Sequence, residues 1–153
     1  MDIRKKKYIL SAIVLLMCVM ASGCSSSGKM KDGYYTAEMA EYDKGWKEYV
    51  CILVKANKII SVDFNAKNES GYIKAWDNSY MKNMGSYVDT YPNDYTRKYA
   101  AELIELQSSE GLDIVAGATQ SGNNFLLLSK AVIEQAVKGD SEVAFVEKDA
   151  GVK

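Results

Sequence analysis

The chain has 153 residues, 48% apolar and 25% charged, with one proline and a formal net charge of −1. That composition suits one folded domain plus a short targeting segment and excludes a disordered chain. Histidine is absent, which excludes imidazole general bases, histidine metal ligands and Ser-His-Asp or Cys-His catalytic arrangements.

Arg4, Lys5, Lys6 and Lys7 precede an apolar run from Tyr8 to Met20, the layout of a secretory signal peptide. A membrane-spanning helix needs about 20 apolar residues, and the small and polar residues from Ala21 end the run first. Ala21, Ser22, Gly23 and Cys24 resemble a lipobox, with Ala21 where leucine is usual. Residues 1–23 are therefore expected to be a lipoprotein signal peptide and Cys24 the lipidated residue, placing the chain on the extracytoplasmic side of a bacterial membrane. Cys18 follows the bulky Met17 and fits cleavage less well. Removing residues 1–23 leaves 15 basic and 19 acidic residues, a net charge of −4, which disfavours nucleic acid as a partner. Cys51 then remains without a pairing partner, and among Val50, Ile52 and Val54 it reads as a small buried apolar residue.

Residues 24–31 are small and polar, and read as a flexible tether. A domain over 32–140 follows, with 141–153 as a C-terminal tail. Tyr34 to Ala37 predicts a first strand and Trp46 to Lys55 a longer one, central and covered on both faces because both are apolar. Asn57 and Lys58 predict a tight turn into a third strand, Ile59 to Asn65, with Ile60, Val62 and Phe64 on one side. After a polar loop, Trp76, Tyr80 and Met84 share a helical spacing. Pro92 opens a helix to about Gln107, with Tyr95, Tyr99, Leu103 and Leu106 on one stripe. Leu112 to Val115 reads as extended. Gln120 to Lys138 predicts the last helix, with Phe125, Leu128, Val132 and Ala136 facing the core and Gly139 as C-terminal cap. Val143 to Val146 forms one more strand-like patch. Strands first and helices after predict an α+β fold, an antiparallel β-sheet packed with helices.

Asp113, Ala116, Gly117, Ala118, Thr119 and Ser121 carry a resemblance: the segment from Asp113 to Ser121 resembles the flavinylation motif of the FMN-binding domain family. That family includes the FMN-bearing subunit of the sodium-pumping NADH:quinone reductase and the flavinylated lipoproteins of extracellular electron transfer. Asn68, Glu69, Ser70 and Gly71 resemble the family's loop against the flavin, with Ser70 in place of threonine and the proline missing. Asp32, Gly33 and Tyr34 match the domain's opening. The resemblance implies an FMN-binding domain-like fold and covalent FMN on Thr119 through a phosphoester, installed by a separate FAD:protein FMN transferase that uses FAD and magnesium. Asp113 is then implied to fix the turn or to help seat the transferase.

The residues themselves fit that role. Thr119 stands where the last helix begins, and a helix N-terminus favours an anion. The small residues Ala116, Gly117 and Ala118 leave room for a second protein to reach the hydroxyl, although a plain helix cap after a glycine turn has the same appearance. Trp76 and Tyr80 are candidates for stacking on the flavin, with core packing as their plainer reading. Asn123 and Asn124 are candidate donors to flavin or phosphate.

The expected function is that of an electron carrier and not itself a catalyst. The tether holds it at the membrane between redox donor and acceptor proteins or small-molecule acceptors. No metal site is expected. The alternative is a lipoprotein that holds FMN noncovalently, or one that senses a solute and has no redox role; a subunit of a larger membrane complex is a third reading.

Overall fold

The computed structural model describes residues 28–148. The signal peptide, Cys24 and the end of the C-terminal tail lie outside these residues. Among these described residues, four strands and three helices follow one another. They are β1 (Gly33–Met39), β2 (Lys47–Lys55), β3 (Lys58–Lys67), α1 (Asn78–Met84), α2 (Pro92–Leu106), α3 (Thr119–Lys138) and β4 (Ala144–Val146). The sheet order is β3-β2-β1-β4. The α+β class is as expected. The first three strands are antiparallel, but β4 joins β1 in parallel, so the sheet is mixed. α3 carries the chain back along the sheet to Lys31, just ahead of β1, so the strand that follows runs in the same direction as β1 and pairs with its last residues, Ala37 to Met39.

β2 is interior in the sheet yet covered on one face only. Glu48, Val50, Ile52 and Val54 are buried, whereas Lys47, Tyr49, Cys51 and Leu53 alternate with them and stay half-exposed. This corrects the expectation of cover on both faces, and Cys51 with it: the thiol lies on the open face, not in the core. The tight turn sits one residue earlier than its sequence suggests. Ala56 and Asn57 both have positive φ, at 52° and 63°, the pairing that a two-residue hairpin needs. A register shift at Leu53/Val54 pairs Val54 with Ile59 and Leu53 with Ser61, leaving Ile60 as the extra residue. That bulge reverses the alternation. Ile59 and Phe64 face inward, and Ile60 is 49% exposed.

The helices cover the buried face, α3 over β1 and β2, and α2 over β3. α3 forms because Phe125, Leu128, Val132 and Ala136 line one stripe, all fully buried. It ends at Gly139, whose φ of 73° gives the left-handed cap. α2 starts with Pro92 at its first turn and buries Tyr95, Tyr99 and Leu103. Leu106, expected on that stripe, is 41% exposed because the helix is ending there. Gln107 follows in the left-handed conformation. Its side chain accepts from the Ile59 N–H at 2.7 Å and donates to the Ile59 carbonyl at 2.9 Å, covering the free edge of β3.

The predicted helix from Trp76 divides in two. Lys74–Trp76 is a 3₁₀ turn, Asp77 caps α1 through the Tyr80 N–H at 2.9 Å, and Trp76 is 66% exposed instead of sharing a face with Tyr80. Phe64, Tyr99 and Phe125 form the aromatic centre of the core, with ring centroids 4.7–5.8 Å apart. The chain is already bonded to the body at Met30 and Lys31, whose N–H groups donate to Asn57 Oδ1 and to the Ala136 carbonyl.

Candidate functional site

Three stretches of chain surround a cleft of about 210 Å³. The first is the β1–β2 hairpin. Lys44 and Gly45, at φ of 51° and 83°, make its turn, and Asp43 and Trp46 close it with two backbone hydrogen bonds. Trp46 is thereby placed on the cleft wall rather than in the strand. The second supplies Lys74, Tyr80 and Met84, and the third runs from Gly117 to Asn124.

Gly117 shows why the motif segment needs glycine. Its φ is 82°, and a Cβ there would lie 2.9 Å from Val88 Cβ. The turn Ala116–Gly117 thus rests directly on the segment before α2. Tyr99 holds the same loop from below: its hydroxyl accepts from the Val115 N–H at 3.0 Å and donates to the Ala118 carbonyl at 3.4 Å. Gly122 lets α3 pass that hydroxyl, since a Cβ there would meet it at 2.5 Å.

Thr119 is the first residue of α3 and is exposed. The residue at the cap position is Ala118, which has no side-chain acceptor, and the first turn holds no acidic residue. The first amide bonded within the helix is that of Gly122, to the Ala118 carbonyl at 2.8 Å. The N–H groups of Thr119, Gln120 and Ser121 precede it, so the positive end of a 20-residue helix is left without a cap beside the Thr119 hydroxyl. By contrast α1 has the Asp77 cap, and α2 has Pro92 and Asp94 in its first turn.

The cleft floor is polar. Glu48 is only 8% exposed. Its carboxylate accepts from the Ser121 hydroxyl at 2.5 Å and from the Asn124 amide at 2.6 Å. The wall is cationic and aromatic: Lys74 Nζ lies 4.5 Å from the Tyr80 ring centroid and 5.8 Å from that of Trp46, and the two rings meet edge to face at 6.2 Å. At the rim, Asp43 accepts from Lys148 at 2.7 Å and from the Gln120 side chain. The hydrogen bond from Lys148 is the largest influence holding the Asp43 carboxyl below the usual carboxylate range.

The structure brings some of the expected residues together and separates others. Gly117, Ala118, Ser121, Asn124 and Tyr80 line the cleft, and Thr119 stands between Ala118 and Gln120, which also line it. Asp113 and Ala116 are exposed on the approach to α3, and the Asp113 N–H donates to Glu102 at 2.8 Å. Asn68, Glu69, Ser70 and Gly71 form a turn closed on itself: Asn68 Oδ1 accepts from the Ser70 N–H, the Ser70 hydroxyl and the Tyr72 N–H. None of these four lines the cleft; the nearest wall residue along the chain is Lys74. Trp76 lines a separate groove with Arg97 and Thr96, and Asn123 is exposed.

Sequence reasoning missed Trp46, Lys74 and Glu48. Glu48 had a signal. It is a lone carboxylate on the same strand parity as Val50, Ile52 and Val54, and a charge in that position stays only where donors meet it.

Among the described residues no helix is long and apolar enough to cross a membrane. No family model matches the chain. It is 29% identical over 129 residues to a 15 kDa lipoprotein of Treponema pallidum (strain Nichols), an alignment spanning 84% of this chain and 91% of that one. A solution NMR structure of a Clostridium thermocellum protein is 30% identical over 70% of this chain and 92% of its own, with a TM-score of 0.49. The crystal structure of the CPE2226 protein from Clostridium perfringens superposes with a TM-score of 0.75 at 34% identity, covering 78% of this chain and 99% of its own. The chain belongs to one family with the CPE2226 protein of Clostridium perfringens, and its relatives include a lipoprotein.

Proposed function

We propose that this chain is an extracytoplasmic electron carrier, anchored by lipid on Cys24 and bearing FMN esterified to Thr119. The observation that carries the reading is the exposed Thr119 hydroxyl at the uncapped N-terminus of α3, on the edge of a cleft with one aromatic and cationic wall. An FAD:protein FMN transferase would join Thr119 Oγ1 to the FMN phosphorus of FAD; the pyrophosphate bond breaks, AMP leaves, and the hydroxyl proton is released.

The residues present fit such a group. The phosphodiester has the free amides of Thr119, Gln120 and Ser121 to meet. Trp46, Tyr80 and Lys74 offer two rings and a cation beside it. A cleft of about 210 Å³ is smaller than the roughly 300–1,000 Å³ that encloses a ligand. A flavin held there stays partly open to solvent, which suits exchange of electrons at the surface. When bound, the flavin supplies the redox chemistry, and the chain attaches and orients it.

The tether supports the same picture. Lys31 is bonded to the Ala136 carbonyl near the C-terminal end of α3, about 25 Å from Thr119 at 1.5 Å per residue. A chain held through Cys24 at one end offers its cleft at the other.

The test is mass spectrometry after co-expression with such a transferase. The expected adduct is FMN less water, and Thr119→Ala abolishes it. Protein that remains colourless and unmodified overturns the reading in favour of a lipoprotein that binds a small polar solute in the same cleft.

A further inference from the structure

Glu48 is an anomaly of the core. It is buried and held by two side-chain donors, and among the described residues no cation forms an ion pair with it. Two neutral donors offset only part of the cost of taking a carboxylate out of water, so an apolar residue would make a more stable strand. Both donors come from one turn of α3, Ser121 and Asn124, immediately after Thr119. Ser121 belongs to the segment that resembles the flavinylation motif, and its hydroxyl is turned down onto β2 rather than out toward a ligand.

We infer that Glu48 is the positioning residue of the Thr119 site: its carboxylate fixes the first turn of α3 to the sheet through Ser121 and Asn124, and its charge lies in the cleft floor. The inference rests on the Thr119 reading and deepens it. It gives Ser121 a role distinct from contact with flavin. With the carboxylate in place, the three free amides and the Thr119 hydroxyl keep one orientation for a second protein to engage. The charge also opposes any added electron density in the cleft, so it holds the reduction potential of a flavin there down.

Glu48→Gln keeps the shape and one acceptor while removing the charge. In full-length protein it is expected to slow flavin attachment by up to roughly 100-fold, the cost of a misplacement of about 1 Å. It is also expected to raise the midpoint potential of the flavin that does attach, measured by reductive titration with dithionite. A merely structural role would lower the melting temperature and leave the potential unmoved. Should Glu48→Gln not fold, Ser121→Ala removes the 2.5 Å hydrogen bond and leaves the carboxylate with Asn124; it is expected to slow attachment, and Ser121→Thr to restore it. Attachment at the wild-type rate with an unchanged potential overturns the inference. Wild-type protein that never gains flavin overturns the Thr119 reading instead, and hydrogen exchange then decides Glu48 separately: faster exchange of the Gly122 amide in Glu48→Gln supports its hold on α3, and unchanged exchange overturns it.

Discussion

A single phenol shows how much the site depends on groups that do not face it. Tyr99 sits in the aromatic centre of the core, yet its hydroxyl accepts from the Val115 N–H and reaches the carbonyl of Ala118 as well. Tyr99→Phe keeps the ring and leaves the Val115 amide without its partner. It is expected to cost about 1–3 kcal/mol by thermal denaturation, with faster hydrogen exchange over residues 115–118. Loss of stability without local loosening of that loop would show that the hydroxyl does not support the segment before Thr119. Tyr99 was legible in the sequence as a core residue from its spacing with Tyr95 and Leu103. Its second role was not, because a hydroxyl's partners depend on which loop crosses it.

The elements that matter most are α3 and the strand beneath it. Proteins commonly place Ser, Thr, Asp or Asn where α3 has Ala118. Ala118→Ser supplies the missing acceptor and is expected to stabilise the protein by up to about 1 kcal/mol. In the same protein flavin attachment should weaken, because the new hydroxyl competes for the amides that a phosphodiester would use. Melting temperature and adduct mass measured on one preparation check both halves; a more stable protein that is flavinylated as before would mean the free amides play no part. The 20-residue length of α3, its buried stripe and the Gly139 cap were all plain from local spacing. The turn at Ala56 and Asn57 and the bulge at Ile60 were not. Alternation assumes an uninterrupted pleat, and one extra residue inverts every side chain beyond it.

At the scale of the whole fold, the helices among the described residues cover one face of the sheet and bury phenols beneath them. Burial holds the Tyr95 and Tyr99 hydroxyls in their neutral form above the ordinary tyrosine range. In the unfolded chain these groups lose their protons near the ordinary value of about 10, while the folded protein retains them. The unfolded state then binds fewer protons, so stability is complete below about pH 10 and falls as pH rises beyond it. Denaturant midpoints measured from about pH 8 to 12 are expected to decline only above about 10. Exposed tyrosines such as Tyr34 and Tyr87 ionise while the protein is folded, so the readout is the part of the tyrosinate absorbance that Tyr95→Phe and Tyr99→Phe remove, which is expected to appear together with unfolding. That part forming well before the fold is lost would show that these phenols are not sheltered.

The sequence by itself determined the α+β class, the course of α2 and α3, the placing of Thr119 at a helix start and the expectation of a lipoprotein, because each rests on residues close together in the chain. Tertiary structure alone decided that β4 runs parallel to β1, that Trp46 rather than Trp76 stands on the cleft wall, and that Glu48 meets Ser121 and Asn124 across more than 70 positions. Spacing reports which face a side chain occupies. It does not report which distant face the fold lays against it, and the donors that make a buried carboxylate tolerable come from there.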